Sequence, residues 1–149
     1  EGNNNTLANG EILQASQFRG PTKPGTSIVL SGDTAEQSIE PLVPVTVLIH
    51  EATFLDEAHD KAEAHLHSTA SGAARTALQC KAEHLILTHF SARLRDAEEA
   101  ISEAGNVLEQ SCSVSAANDG DRVRIDEAGH ATFLTLSENG WTQHNLSHH

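Results

Sequence analysis

Three short apolar runs in this chain each end in a side chain that could bind a metal or move a proton. Residues 27–30 run into Ser31-Gly32-Asp33-Thr34, residues 45–49 into His50-Glu51, and residues 84–87 into Thr88-His89. Carboxylate oxygens and imidazole nitrogens are hard-to-borderline donors that suit Zn²⁺. An imidazole also titrates near neutral pH, so it can donate or accept a proton in a reaction. Taken singly, each residue also has a structural reading: Asp33 as a turn cap, His89 as a hydrogen-bonded core histidine. What points to a site is the repetition at three strand ends, because rigid strands hold the groups that their carboxyl-terminal loops present.

The elements that must position these groups follow from periodicity. The three runs are almost continuously apolar, as strands buried on both faces are. Between the second and third, residues 56–64 are good helix formers. Ser68-Thr69 is placed to cap a helix over 70–81, with Ala73, Ala77 and Cys80 as its narrow buried stripe. After the third run, 96–110 carries Ala97, Ala100, Ile101, Ala104 and Leu108 at helical spacing, with Glu98, Glu99 and Glu103 on the wet face. Residues 123–125 and 131–136 then read as strands. Asn139-Gly140 before Trp141 signals a hairpin. Ahead of all this, Asn9-Gly10 reads as a tight turn and residues 20–25, with two prolines and two glycines, as an irregular connector.

Composition narrows the function classes. The chain has 149 residues, 38% of them hydrophobic, which suits one domain with a modest core. Nine Lys+Arg against 21 Asp+Glu give a net charge of −12, which excludes a uniformly basic nucleic-acid module. No run approaches the ~20 apolar residues of a membrane span, and no basic segment followed by an apolar one opens the sequence. Cys80 and Cys112 form no Cys-x-x-Cys pair; the sequence leaves a single bridge open and favours two buried free thiols of a cytosolic protein. The ten histidines are the unusual feature; His148 and His149, which close the chain, read as a tag remnant or a solvated tail. There is no Met and the chain opens Glu1-Gly2-Asn3, so a fragment of a longer protein is expected.

The ordered set of motifs is more specific than any one of them. Gly20-Pro21 through Pro24-Gly25 is followed by Ser31-Gly32-Asp33-Thr34. Then come His50-Glu51-Ala52-Thr53-Phe54-Leu55-Asp56-Glu57, His67-Ser68-Thr69, and Leu87-Thr88-His89-Phe90-Ser91-Ala92-Arg93. From about residue 9 to about residue 125 this resembles the carboxyl-terminal half of ribonuclease Z, the tRNA 3′-processing endonuclease of the metallo-β-lactamase superfamily. The resemblance implies an α/β fold, half of a four-layer αββα sandwich, with one mixed β-sheet and flanking helices. It divides the chain into a lead-in (1–26), the half-domain (27–126), and a terminal hairpin with tail (127–149).

It also implies roles. Asp33 would bridge two zinc ions, and His89 would be the last histidine ligand of the second. His67 would give a proton to the leaving ribose oxygen, with Glu51 as its catalytic support. Ser91 and Arg93 would approach the scissile phosphate. His50, Ser68 and Thr69 would support the loop. The partners implied are precursor tRNA, an amino-terminal half carrying the remaining zinc ligands, and a second subunit in a homodimer; no membrane is implied. The roles agree with the chemistry: two metals generate a nucleophile and clamp phosphate oxygens, and only a carboxylate has two oxygens with which to bridge them.

Several features depart from the family. Its His-x-His-x-Asp-His motif is absent, as is a further ligand histidine that precedes the Asp33 segment. His65-Leu66-His67 begins like that motif, but Ser68-Thr69 follows. Leu66 stands where the family usually has Gly, and Leu94 where it usually has an aromatic residue. With about two ligands of a dinuclear site, this chain alone is expected to be inactive and to expose one apolar sheet face. Two other readings remain: a phosphodiesterase or arylsulfatase of the superfamily acting on a small molecule, and a non-catalytic remnant domain. His59, His65, His84, His130 and His144 are read as exposed or structural, and Trp141 as packing in the terminal hairpin.

Overall fold

A computed structural model describes residues 3–20, 25–41, 43–126, 128 and 130–146. Most of the expected connector over 20–25 and the two closing histidines lie outside the described residues. β1 (Asn5–Thr6) and β2 (Ile12–Leu13) pair antiparallel around the Asn9-Gly10 turn. Gly10 there takes φ +83°, a conformation that a side chain resists. A 3-10 turn follows at Ala15–Phe18.

The central sheet has four strands: β3 (Ile28–Leu30), β4 (Val47–Glu51), β5 (His84–Thr88) and β6 (Ser113–Ala116), side by side in that order. All three pairings are parallel. Within this sheet the expected mixture of strand directions is therefore absent. Each connection crosses back to the same end: a loop from β3 to β4, α1 (His59–His65) and α2 (Ala70–Gln79) from β4 to β5, and α3 (Ala97–Leu108) from β5 to β6. Sequential strand order with crossovers of one hand places the helices on one face of the sheet. The opposite face is left for other elements.

Leu48, Leu85 and Leu87 meet the helices through Ala70, Ala73, Ala74, Ala77, Ala100, Ala104 and Leu108, all at most 1% exposed. The many alanines let α2 and α3 approach the sheet and each other closely. Cys80 and Cys112 are free thiols in this layer, and burial pushes the Cys112 thiol up to about 11. Thr69 caps α2 by accepting the Gly72 N–H at 3.0 Å, and Asp96 caps α3 by accepting that of Glu98 at 3.0 Å. Glu103 does not lie on a wet face. It is half-buried and accepts the N–H groups of Asp56 and Ser71, each at 2.9 Å, so it ties α3 to the starts of two other helical segments.

The other sheet face carries Val47, Ile49 and Ile86. A second, antiparallel sheet packs on it: β7 (Arg122–Ile125), β8 (Ala131–Ser137) and β9 (Gly140–Asn145), with β8 and β9 forming the expected Asn-Gly hairpin. Ala131, Phe133 and Leu146 close over Val47 and Ile86. The face expected to be open is thus covered at its centre. It stays open at the β3 edge, where Leu30 is 70% exposed and Ile28 37%. Trp141 sits on β9 of the hairpin, paired with Leu136, and is only partly covered. It lies 46% exposed with the Arg122 guanidinium 4.7 Å from its ring centre. Among the described residues no helix is long and apolar enough to cross a membrane.

Candidate active site

The site gathers at the carboxyl ends of β3, β4 and β5, and Glu51 is its hub. Strand β4 extends through His50 and Glu51, two residues past the apolar run, because Glu51 still pairs with Thr88 of β5. The Glu51 side chain is only 1% exposed. Its two oxygens accept the Thr34 N–H (2.9 Å), the Thr53 N–H (3.1 Å), the Thr53 hydroxyl (2.6 Å) and His67 Nδ1–H (2.7 Å). Burial opposes ionisation of this carboxyl. The bonds from Thr53, Thr34, His67 and the Ser68 backbone outweigh it and hold Glu51 below its ordinary value. One buried carboxylate therefore joins the Asp33-Thr34 turn, the β4 tip and the His67-Ser68 loop.

Thr53 is the member that motif reasoning left without a role. Its hydroxyl donates to Glu51, so His89 Nδ1, 2.8 Å away, must be the donor in their shared bond. His89 Nε2 is left outside this bond. That nitrogen faces Asp33 Oδ2 at 3.4 Å. Two ligands sharing one tetrahedral zinc, each about 2.0–2.2 Å from it, stand about 3.3–3.6 Å apart. The pair therefore fits as two donors to one ion, with Thr53 as the outer partner that orients the ring. His89 takes φ +57°, a costly conformation for a non-glycine residue and one that recurs at functional positions.

His67 is oriented in the same way. A carboxylate only accepts, so Nδ1–H of His67 points at Glu51 and Nε2 is left for another partner. The imidazole stacks on His89 with ring centres 5.3 Å apart, and Phe54 meets it edge-on at 6.3 Å. Donor atoms of Glu51, His67 and His89 lie within 4.8 Å of one another. We read this trio as a hydrogen-bonded network, because Glu51 and the two Nδ1 atoms already hold one another directly or through Thr53. The nitrogens free for metal or substrate are the two Nε2 atoms.

The loops around this network lock together. Ser68 Oγ donates to the Thr34 carbonyl at 2.7 Å, and Phe54 pairs with the 68–70 backbone (Phe54 N–H to Ser68 O at 3.2 Å, Ala70 N–H to Phe54 O at 3.0 Å). Ser68 and the Thr69 cap thus bond the backbone on either side of this loop. His50 does not. It is fully buried on the helix face, and its Nδ1 bonds the Glu51 carbonyl at 2.8 Å, while its Nε2 has no protein partner among the described residues. Burial holds this imidazole below its ordinary value. The alternation of β4 explains the difference: Glu51 and His50 point to opposite sides of the sheet.

Ser91 is tied to the centre by its N–H, which donates to the Thr53 carbonyl at 3.1 Å; its hydroxyl accepts the Arg93 N–H at 3.3 Å. Both residues line a groove of about 280 Å³ that opens beside Thr53 and Phe54. Leu66 ends α1 at φ +58° and is 72% exposed. This explains why a glycine is at home there.

No protein-family model matches the chain. It is 45% identical over 101 residues to the ribonuclease Z of Halalkalibacterium halodurans, covering 65% of this chain and 32% of that protein. To the ribonuclease Z of Exiguobacterium sibiricum it is 43% identical over 105 residues, covering 68% of this chain and 35% of that protein. The chain thus spans about one third of the length of these relatives. Among solved structures, the metallo-β-lactamase fold protein YhfI from Bacillus subtilis superposes with a TM-score of 0.53 at 22% identity, over 64% of this chain and 38% of that one. A long-form ribonuclease Z from yeast superposes with a TM-score of 0.50 at 28% identity, over 62% of this chain and 12% of that one.

Proposed function

We propose that this chain, a ribonuclease Z-like segment on the metallo-β-lactamase fold, supplies part of the active site of a zinc-dependent endoribonuclease that removes the 3′ trailer of precursor tRNA. Asp33 and His89 would hold metal, with the remaining ligands coming from an amino-terminal half on the same or another polypeptide. When bound, a zinc pair supplies Lewis acidity and charge neutralisation at the scissile phosphate. The other steps fall to this chain's own side chains. Glu51 holds His67 by Nδ1, so Nε2 is aimed outward, where it would serve as the general acid for the leaving ribose oxygen. Ser91 and Arg93 would approach the phosphate. The full enzyme is read as a cytoplasmic homodimer. The observation that carries this reading is the pairing of two oriented imidazoles: Glu51 fixes His67, and Thr53 turns His89 Nε2 toward Asp33.

The test joins this chain to an amino-terminal half bearing His-x-His-x-Asp-His. The completed protein should cleave precursor tRNA. His67→Ala should keep its zinc, measured by elemental analysis, and lose about 10²–10⁴ in cleavage rate. Loss of zinc in that variant would overturn the assignment of His67. Net acidity, −12, favours the alternative of a small-molecule phosphodiesterase. Hydrolysis of a simple diester without cleavage of precursor tRNA would decide for it.

A further inference from the structure

Two loops carry the reactive centre, and one carboxylate of α3 holds the backbone of both. The first runs on from Glu51 through Thr53 to the 3-10 turn Asp56–Ala58; the second carries His67 and leads into α2. Each ends in a helical start, where backbone N–H groups find no partner within the helix. Thr69 takes only the Gly72 N–H of α2, and Leu55 has no polar side chain with which to cap the 3-10 turn. Glu103 fills both gaps. Its Oε2 accepts the Asp56 N–H and its Oε1 the Ser71 N–H, each at 2.9 Å.

The other carboxylates of this helix behave differently. Glu98 and Glu99 are exposed, whereas Glu103 is half-buried. Among the described residues it forms no ion pair with a lysine or arginine, and its charge faces two helix starts instead. Each oxygen serves one N–H group. An amide in its place would offer one acceptor, and alanine none.

The two loops are also bonded to each other, through Phe54 with Ser68 and Ala70 and through the Thr69 hydroxyl, which donates to Asp56 Oδ1 at 3.5 Å. Glu103 adds the tie from this pair of loops to α3. Its two bonds fall close to the reactive side chains: Asp56 follows Thr53 by three residues, and Ser71 follows His67 by four. The 2.7 Å bond from His67 to Glu51 orients the ring only if the backbone at both ends is in place. A misplacement of about 1 Å at a reacting group can cost about 10²-fold in rate.

We propose that Glu103 is a positioning residue of the reactive centre. By holding the N–H groups of Asp56 and Ser71 it fixes the Thr53 loop against the His67 loop, and so the reach of His67 to Glu51. It touches none of the reacting groups and acts through these two loops. Its effect on cleavage rests on the ribonuclease reading; its effect on His67 does not.

The test starts with NMR of the full chain, its histidine ring nitrogens isotope-labelled so that they report the Glu51–His67 bond. Glu103→Ala should shift or broaden the His67 ring resonances well below its melting temperature. Glu103→Gln, which keeps the length and one acceptor, should fall between it and the parent, and carries the same test if the alanine variant does not fold. Val107→Ala, a partly buried apolar residue on the same helix, should lower the melting temperature and leave the His67 resonances in place. In the completed protein, Glu103→Ala should reduce kcat by about 10- to 100-fold with KM little changed. His67 resonances unmoved in Glu103→Ala, or moved as far in Val107→Ala, would overturn the proposal. So would a raised KM with kcat intact. Resonances that move as expected, in a completed protein that does not cleave precursor tRNA, would instead sink the ribonuclease reading and leave Glu103 as the residue that positions His67.

Discussion

The tip of the parallel sheet and the face that carries the second sheet are built from the same strand on opposite terms. On β4, Val47 and Ile49 meet Ile86, Phe133 and Leu146 in a wholly apolar layer. Glu51, on the same face of the same strand, meets only hydrogen-bond donors. The apolar layer is held by burial, which is non-directional and tolerates changes of shape. The tip is held by directed bonds to a buried charge, where every partner matters. The chain accepts left-handed backbone at Leu66 and His89 around the tip, and the apolar layer provides the rigidity that makes this tolerable.

The largest effect is expected in the apolar layer. Phe133 is 2% exposed and is the largest side chain that β8 places over the central sheet. Phe133→Ala should cost about 3–5 kcal/mol in a denaturant titration. A loss below about 1 kcal/mol would mean that the second sheet does not cover this face in solution, and the contrast drawn here would fail.

The tip should yield less stability but more pH dependence. Glu51→Gln leaves an amide in a position that demands four accepted bonds, and about 1–3 kcal/mol should be lost. Acid adds a second readout. His50 has its folded pKa below the ordinary 6.5 because it is buried, so it contributes stability that is present above about 6.5 and lost as pH falls below that value. Glu51 lies below the ordinary 4.5, so its contribution is present above 4.5 and is lost as pH falls through its folded value. Stability should therefore decline in two stages on acidification. His50→Gln should remove the first stage and Glu51→Gln the second. A single unchanged decline in both variants would show that neither residue is linked to folding.

Much of the frame was legible because it depends on local chemistry. The apolar runs, the alanine stripe of α2, the cap at Thr69 and the Asn139-Gly140 turn are each written within a few residues. What was not legible depends on what comes near in three dimensions. β6 alternates serine with small apolar residues and gives no strand signal; it is a strand because β5 and α3 are beside it. Glu103 looks solvated on a helical wheel and is instead the acceptor for two helix starts. Thr53 stood inside a quoted motif, but its hydroxyl gains a role only when His89, 36 residues on, returns to it. His50 and Glu51 look alike as neighbouring polar residues, and strand alternation alone separates a buried structural imidazole from the hub of the site.

The smallest effect tests how far the tip is strained. Leu66 holds φ +58° with its side chain 72% exposed, so no packing compensates for the conformation. A left-handed residue other than glycine costs about 1–2 kcal/mol, and the greater freedom of glycine in the unfolded chain returns about 0.5–1 of that. Leu66→Gly should therefore stabilise the chain by roughly 0.5–1 kcal/mol. His67 follows directly, its N–H bonded to the Ala62 carbonyl at 2.9 Å, so the variant should also leave the imidazole where Glu51 holds it. A gain in stability with the His67 resonances unmoved in an NMR titration would place the strain in the α1 terminus alone. A gain accompanied by shifted His67 resonances would mean that the leucine sets the loop, and that the bonds to Glu51 are not sufficient to orient the ring.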